Sequence, residues 1–186
     1  GHDMVYVCYD NGAYMNTGIQ RSSGTPKYAD TTTSPAGSVI PGKQQWRKDL
    51  TEVLANHFLP YVAQTAPIKN MKDLYEKSEK AIYTQGPTFL NVLAPCPRGW
   101  RYNTPDLMDI CQLAVDTCFW PMYEVFNGTE YKISYIPKNK KPVAEFLKTQ
   151  GRFKHLFKPE NEGILEEIQK ETDARWETLL KKAGEA

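Results

Sequence analysis

The chain has 186 residues, 40% apolar and 24% charged, with 23 basic against 22 acidic side chains. A chain of this size buries its own core, and four cysteines are too few for a disulfide framework, which points to a reducing, cytoplasmic setting. A net charge of +1 argues against a nucleic-acid or polybasic membrane binder, no run reaches the roughly 18 apolar residues of a membrane helix, and no signal peptide opens the sequence.

The sequence starts Gly1-His2-Asp3-Met4 and enters a β-rich run with no lead-in, as expected of a tag scar or of the later part of something longer. Val5 to Tyr9 reads as a buried parallel strand ending at the turn signal Asp10-Asn11-Gly12. Residues 16–43 form a long polar stretch with few apolar side chains to bury; it is expected to be functional or disordered, and mobile in isolation. Gln44 to Phe58 reads as a helix with Trp46, Leu50, Val53, Leu54 and Phe58 on one face. Tyr61-Val62-Ala63 is a second strand, Asn70 to Thr84 a second helix, and Thr88 to Leu93 a third strand. Strand and helix alternate, so the fold class is α/β, a doubly wound, mostly parallel sheet. Ligands in such sheets bind beyond the carboxyl ends of the strands, where residues 10–37 and 94–102 lie.

Further on, Thr104-Pro105-Asp106 opens a helix to about Phe119. Met122–Phe126 and Tyr131–Ile136 flank Asn127-Gly128, a hairpin signal. Pro142–Thr149 and Gly163–Ala183 read as helices, the latter with Glu/Lys pairs at helical spacing and a solvated or subunit-packing face. Residues 1–103 are assigned to the α/β domain and 104–186 to a helix, hairpin and helix extension.

A strand end followed by Asp10, Asn11 and a turn gathers side-chain and backbone oxygens at one point, the donors a hard cation such as Mg²⁺ prefers, with Asn16, Thr17 and Gln20 as neutral polar groups nearby. The plainer reading is two consecutive turns. Cys96, between two prolines, is by default a small buried hydrophobe. Cys111 and Cys118 fall on one predicted helix face and read as core, as does Cys8. His2, His57 and His155 do not cluster and no nucleophile has a visible histidine partner, so a hydrolase triad is unsupported. Lys138-Asn139-Lys140-Lys141 reads as a solvated turn, with docking of an acidic ferredoxin as the alternative.

The run from Tyr9 to Ser22 resembles the second half of the thiamine diphosphate motif in the β subunit of pyruvate:ferredoxin oxidoreductase. The Thr-rich, Pro-Ala-Gly loop at 31–37, a following helix with Lys43 and Lys48, Ala94 to Arg101, and Ala114 to Glu124 are similar to that family in the same order. The resemblance implies that the Asn11 side-chain oxygen and the Ala13 carbonyl meet Mg²⁺ on thiamine diphosphate. It also implies that Asp10, Thr17 and Gln20 border the cofactor and that Asn16 reaches the reacting centre, where an amide can stabilise a developing oxyanion. Gly12 departs from the family's acidic residue, and the family's Gly-Asp-Gly is absent. Cys96 matches the last of four thiolates on a four-iron four-sulfur cluster. The sequence has no Cys-x-x-Cys to supply others.

The resemblance implies the C-terminal portion of a β subunit, inactive alone. The whole enzyme decarboxylates a 2-oxoacid, pyruvate first, passes electrons through iron–sulfur clusters to ferredoxin and gives the acyl group to coenzyme A, with α-, γ- and δ-type subunits as partners. Alternatives are another substrate (oxalate, 2-oxoisovalerate, 2-oxoglutarate or an aryl pyruvate) or a non-catalytic α/β assembly domain.

Overall fold

Runs of β-branched and aromatic residues suit extended backbone, and three of them form the parallel strands β1 (Val5–Asp10), β2 (Tyr61–Thr65) and β3 (Thr88–Leu93). The computed structural model describes residues 2–185, so the terminal Gly1 of the expected tag scar lies outside the described residues. β4 (Tyr123–Phe126) and β5 (Glu130–Ile133) form the hairpin that Asn127-Gly128 signals; both turn residues have positive φ. The sheet order is β1-β3-β2-β4-β5, parallel across the first three strands and antiparallel across the last two.

Among the described residues six α-helices accompany the sheet: α1 (Leu50–Ala55), α2 (Lys72–Tyr83), α3 (Pro97–Trp100), α4 (Leu107–Asp116), α5 (Val143–Lys148) and α6 (Glu162–Ala183). Strand alternation decides which face each helix covers. Val62, Phe89, Tyr123 and Val125 pack with Ala55 of α1 and with Trp176 and Leu179 of α6. Tyr61, Ala63, Leu90 and Val92 point the other way, against Ala81 and Leu74 of α2. The largest cluster lies at the carboxyl end of the parallel strands. It joins Leu93 and Trp100 to Ile110 and Cys111 of α4, Phe146 and Leu147 of α5, and Phe153. Lys77 of α2, only 1% exposed, crosses to the sheet: its Nζ donates to the Gln64 carbonyl and to Ser134 Oγ, both at 2.8 Å, and sits 3.0 Å from Asp73.

Several expectations need correction. β1 is not buried: Val5, Tyr6, Val7 and Tyr9 are exposed, because β1 is an edge strand that pairs with β3 alone among the described residues. The first helix is much shorter than 44–58. Asp49 caps it, its side chain accepting from Glu52 N at 3.2 Å, and it ends before Phe58, which has φ +54° and is exposed. Lys43 and Lys48 therefore lie before that helix. Its buried positions are Thr51 and Ala55, while Trp46, Val53 and Phe58 are exposed.

The 16–37 loop is packed rather than loose: Thr25, Tyr28, Ala29 and Thr31 are buried within it. Lys43 threads beneath it, donating to the carbonyls of Thr25 (2.5 Å) and Ser23 (3.3 Å). A 3-10 stretch at Gly151–Phe157, with no clear sequence signal, closes over it; Asp30 N donates to the Arg152 carbonyl at 2.9 Å. Cys118 lies beyond the end of α4 at φ +57°, so it and Cys111 enter different clusters. Cys8 is only half-buried. Among the described residues the acids and bases of α6 form no ion pairs with one another. Glu167, Asp173, Arg175 and Lys182 pair instead with Lys27, Lys140, Asp49 and Glu52.

Candidate functional site

Asp10 and Leu93 are register partners at the carboxyl ends of β1 and β3, and Ala94 N donates to the Asp10 carbonyl at 2.9 Å. The loops following both strands therefore leave the sheet side by side. On the first, Asp10 Oδ1 accepts from Gly12 N at 3.0 Å and Asn11 Oδ1 from Ala13 N at 3.3 Å, two consecutive side-chain turns that fix residues 10–13. Asp10 Oδ2 meets Arg47 Nη2 at 2.5 Å, both side chains about nine-tenths buried. The Arg47 guanidinium lies 4.4 Å from the ring centre of Trp120, whose Nε1 donates to the Thr65 carbonyl at the end of β2. The ends of β1 and β2 are thus linked through Arg47 and Trp120.

On the second loop, Cys96 caps the one-turn α3 and its Sγ accepts from Gly99 N at 3.4 Å. Gly99 has no room for a side chain, because Met15 occupies the space where its Cβ would stand. Trp100, 2% exposed, donates its Nε1–H to the Asn11 carbonyl at 2.7 Å. That hydrogen bond joins the turn expected to hold magnesium to the cap bearing Cys96.

Beneath both lies Arg152, 2% exposed, its guanidinium 3.8 Å from the Trp100 ring centre. Its Nη1 lies 3.1 Å from where a Cβ at residue 12 would stand, and Gly12 has φ +70°, so glycine fits here on two counts. Arg152 Nε donates to Gln150 Oε1 at 2.9 Å. Burial, and after it the neighbouring Arg47 charge, push the Arg152 pKa well down, while Asp10 and Cys96 oppose that fall. Lys43 is pushed down to about 8, chiefly by burial and then by Arg21 and Arg47.

The structure brings Asp10, Asn11, Ala13 and Cys96 together. Asn16 and Thr17 are exposed on a small projecting loop closed by reciprocal backbone bonds between Tyr14 and Gln20, both 3.0 Å. Thr17 Oγ1 donates to Gln20 Oε1 at 2.7 Å, so these two polar groups bond each other. Arg47, Trp100 and Arg152 complete the site but escaped sequence reasoning. Trp100 carried a signal in the Pro-Cys-Pro-Arg-Gly-Trp run, whereas Arg152 reaches the site only through the tertiary fold. In the basic turn, Lys140 and Lys141 pair with Asp173 and Asp116, leaving little charge free for docking. Among the described residues no three His, Cys, Asp or Glu side chains converge as a metal site, so Cys96 offers one thiolate and no more. No helix among them is long and apolar enough to cross a membrane.

Residues 1–92 match the family model described as thiamine pyrophosphate enzyme, C-terminal TPP binding domain. The chain is 48% identical over 181 residues to pyruvate synthase subunit PorB of Thermotoga maritima, covering 97% of this chain and 55% of that one. It is 50% identical over 170 residues to PorB of Methanosarcina barkeri, covering 91% and 56%. It is also 45% identical over 186 residues to ketoisovalerate oxidoreductase subunit VorB of Pyrococcus furiosus, covering 98% and 58%. A solved 2-oxoglutarate:ferredoxin oxidoreductase from Magnetococcus marinus superposes at TM-score 0.46 and 21% identity over 84% of this chain and 59% of that chain, too loosely to add detail. The chain spans a little over half the length of the curated relatives it matches. The thiamine pyrophosphate enzyme C-terminal domain is thus matched over residues 1–92, and along nearly all of the chain the likeness is to pyruvate synthase PorB and ketoisovalerate oxidoreductase VorB subunits.

Proposed function

We propose that this chain is the C-terminal portion of the β subunit of a thiamine-dependent 2-oxoacid:ferredoxin oxidoreductase, cytoplasmic and inactive without its α-, γ- and δ-type partners. Pyruvate is the first substrate. The 45% identity to a ketoisovalerate oxidoreductase subunit makes 2-oxoisovalerate the second reading. Ferredoxin and coenzyme A are the acceptors this reading requires. Residues 1–103 form the cofactor half, and 104–186 pack on it or on neighbouring subunits.

The observation that carries the proposal is the hydrogen bond from Trp100 Nε1 to the Asn11 carbonyl, which fixes an oxygen-rich turn against a capped thiol at the carboxyl end of a parallel sheet. The turn fits a hard cation: Asn11 Oδ1 accepts one 3.3 Å bond and keeps lone-pair capacity, beside the Ala13 carbonyl. These two groups would ligate magnesium on the diphosphate, with Asp10 holding the turn through Gly12 and Arg47. The Cys96 sulfur, half-buried and aimed at by Gly99 N–H, fits one thiolate position of a four-iron four-sulfur cluster whose other ligands lie outside this chain.

Thiamine diphosphate would supply the electron sink for decarboxylation. The protein's part is position and electrostatics. The exposed Asn16 amide, on the loop closed by the Tyr14–Gln20 bridge, would donate to a substrate carbonyl oxygen as it gains charge. Thr17 and Gln20 hold that loop in shape through their mutual bond.

The test is Cys96→Ser in the intact complex. It should remove or alter one cluster signal in electron paramagnetic resonance and slow reduction of a viologen dye by the preferred 2-oxoacid of a panel. A wild-type spectrum at full iron content would reduce Cys96 to a packing residue.

A further inference from the structure

The chain carries 23 basic and 22 acidic side chains, so a hollow holding charges of one sign is a local departure from balance. A groove of about 620 Å³ is such a place: Arg21, Lys43 and Lys48 line it, with hydroxyls, an amide and two aromatic rings between them, and no carboxylate among the described residues. Hydrogen bonds between two chain segments bring the cations together. The Ser23 carbonyl accepts from Lys48 N at 2.9 Å and from Lys43 Nζ at 3.3 Å, and Arg21 Nη1 donates to Gln45 Oε1 at 3.4 Å. The acids nearby are taken: Asp49 pairs with Arg175 at 2.5 Å and Asp30 with Arg101 at 2.8 Å. Lys43 is 3% exposed, and its ammonium is held by carbonyl oxygens alone. A buried charge without a counter-ion therefore lies beside two exposed cations, and Arg21 is among the causes that hold Lys43 down to about 8. What this arrangement lacks is an anion.

We propose that this groove is a binding site for a nucleotide, in which Arg21 and Lys48 take the phosphate, the buried Lys43 adds a fixed positive field, and Trp46 and Tyr14 flank the ring. The inference goes beyond the thiamine reading and uses neither the Asn11 turn nor Cys96. Three features set the ligand class. First, arginine offers a planar fork and lysine a compact charge, the pair of donors that phosphate oxygens accept most strongly, and the Ser22 and Ser23 hydroxyls add neutral donors beside them. Second, a bare phosphate would leave most of 620 Å³ empty, whereas sites for small organic molecules run from roughly 300 to 1,000 Å³. Third, Trp46 and Tyr14 are 38% and 61% exposed, large aromatic faces left in water, on which a base can stack. Lys27 stands 4.3 Å over the Trp46 ring without lining the groove, so the indole is held from outside it. An acidic peptide would satisfy the cations and leave both rings unused.

The test uses the intact complex saturated with thiamine diphosphate and Mg²⁺, so that the cofactor's own phosphate site is already filled. Acetylation of Lys48 is followed by peptide mass spectrometry as AMP, coenzyme A or inorganic phosphate is added, with the exposed Lys138 in the same digest as the internal control. AMP should protect Lys48 and not Lys138, and should act at about tenfold lower concentration than inorganic phosphate, the scale of one base stacked on an aromatic ring. Arg21→Gln should raise the AMP concentration needed about tenfold, the scale of one charge-assisted hydrogen bond. Trp46→Ala should weaken AMP and leave inorganic phosphate as it is, and Trp46→Phe, which keeps a ring, should stay closer to wild type. Protection by AMP without coenzyme A supports a free nucleotide as the ligand; protection by both supports the adenosine phosphate they share. Failure of AMP to protect Lys48, or equal protection in Arg21→Gln, would overturn the proposal. Equal action of AMP and inorganic phosphate, with no effect of Trp46→Ala, would reduce the groove to a bare anion site and overturn the nucleotide class. A Lys48 already unreactive before any ligand is added would show that a neighbouring subunit covers the groove, which overturns it too.

Discussion

Asp10 is the place where the sheet, the candidate metal turn and the buried arginines meet, and Asp10→Asn isolates its charge. The amide retains an oxygen for Gly12 N, now 3.0 Å from Oδ1, so the turn need not open. What disappears is the partner of Arg47, whose side chain is 13% exposed and stacked on Trp120. Removing one member of a buried ion pair costs about 3–5 kcal/mol, because the other charge is left uncompensated. With Arg152 also lacking a carboxylate partner among the described residues, the upper half of that range applies here. Urea denaturation of wild type, Asp10→Asn, Arg47→Met and the double variant gives the coupling directly. The double variant should be more stable than Asp10→Asn alone, since it removes the stranded guanidinium. A loss below about 1 kcal/mol in Asp10→Asn, the scale of a solvated surface pair, would refute the claim that this pair is buried and that its field holds the site together.

Other outcomes follow from the same structure. Lys77 is held down to about 8 from an ordinary 10.5, chiefly by burial against the partial relief from Asp73. The unfolded chain therefore binds more protons than the folded one between those pH values, and stability rises with pH across that window. Relative to Lys77→Met, wild type should gain about 3 kcal/mol between pH 8 and 10.5; parallel denaturation midpoints in the two proteins would contradict this. Asn16→Ala in the whole complex should lower turnover on the order of a hundredfold at saturating substrate, the scale for losing one oxyanion donor, and unchanged turnover would remove Asn16 from the chemistry. Thiamine diphosphate and Mg²⁺ at millimolar levels should not raise the melting temperature of these 186 residues, which offer Asn11 and Ala13 without a Gly-Asp-Gly aspartate, but should raise that of the whole complex. A clear rise in the 186-residue chain would mean that its donor set is sufficient.

Local chemistry made much of this legible. The β3 bounds match the apolar run Thr88–Leu93, and Asn127-Gly128 marked its hairpin, since each depends on residues near in sequence. The first helix was overread because helical periodicity from Trp46 to Phe58 takes no account of Lys43, whose ammonium is captured by loop carbonyls and holds the preceding chain irregular. The loop at 16–37 looked unable to pack because its composition is polar. It packs through backbone bonds and through a lid at 151–157 that only the fold brings over it. At the site, Asp10, Asn11 and Cys96 were visible as motif residues. Arg47 and Arg152 were not, because a buried arginine is marked by its surroundings and not by its neighbours in sequence.

The free edge of β1 bears on handling the protein. Val5, Tyr6, Val7 and Tyr9 lie open along a strand whose outer N–H and C=O groups have no partner strand among the described residues. An exposed, apolar edge of this kind templates further strands, so concentrated solutions of this chain should form sheet-rich oligomers from that side first. A lysine or proline placed at the outward-facing positions of β1 would blunt that growth without touching β2 or β3. For crystallisation or spectroscopy, solubility would then be decided by six residues at one margin of the sheet, and the core would have no say in it.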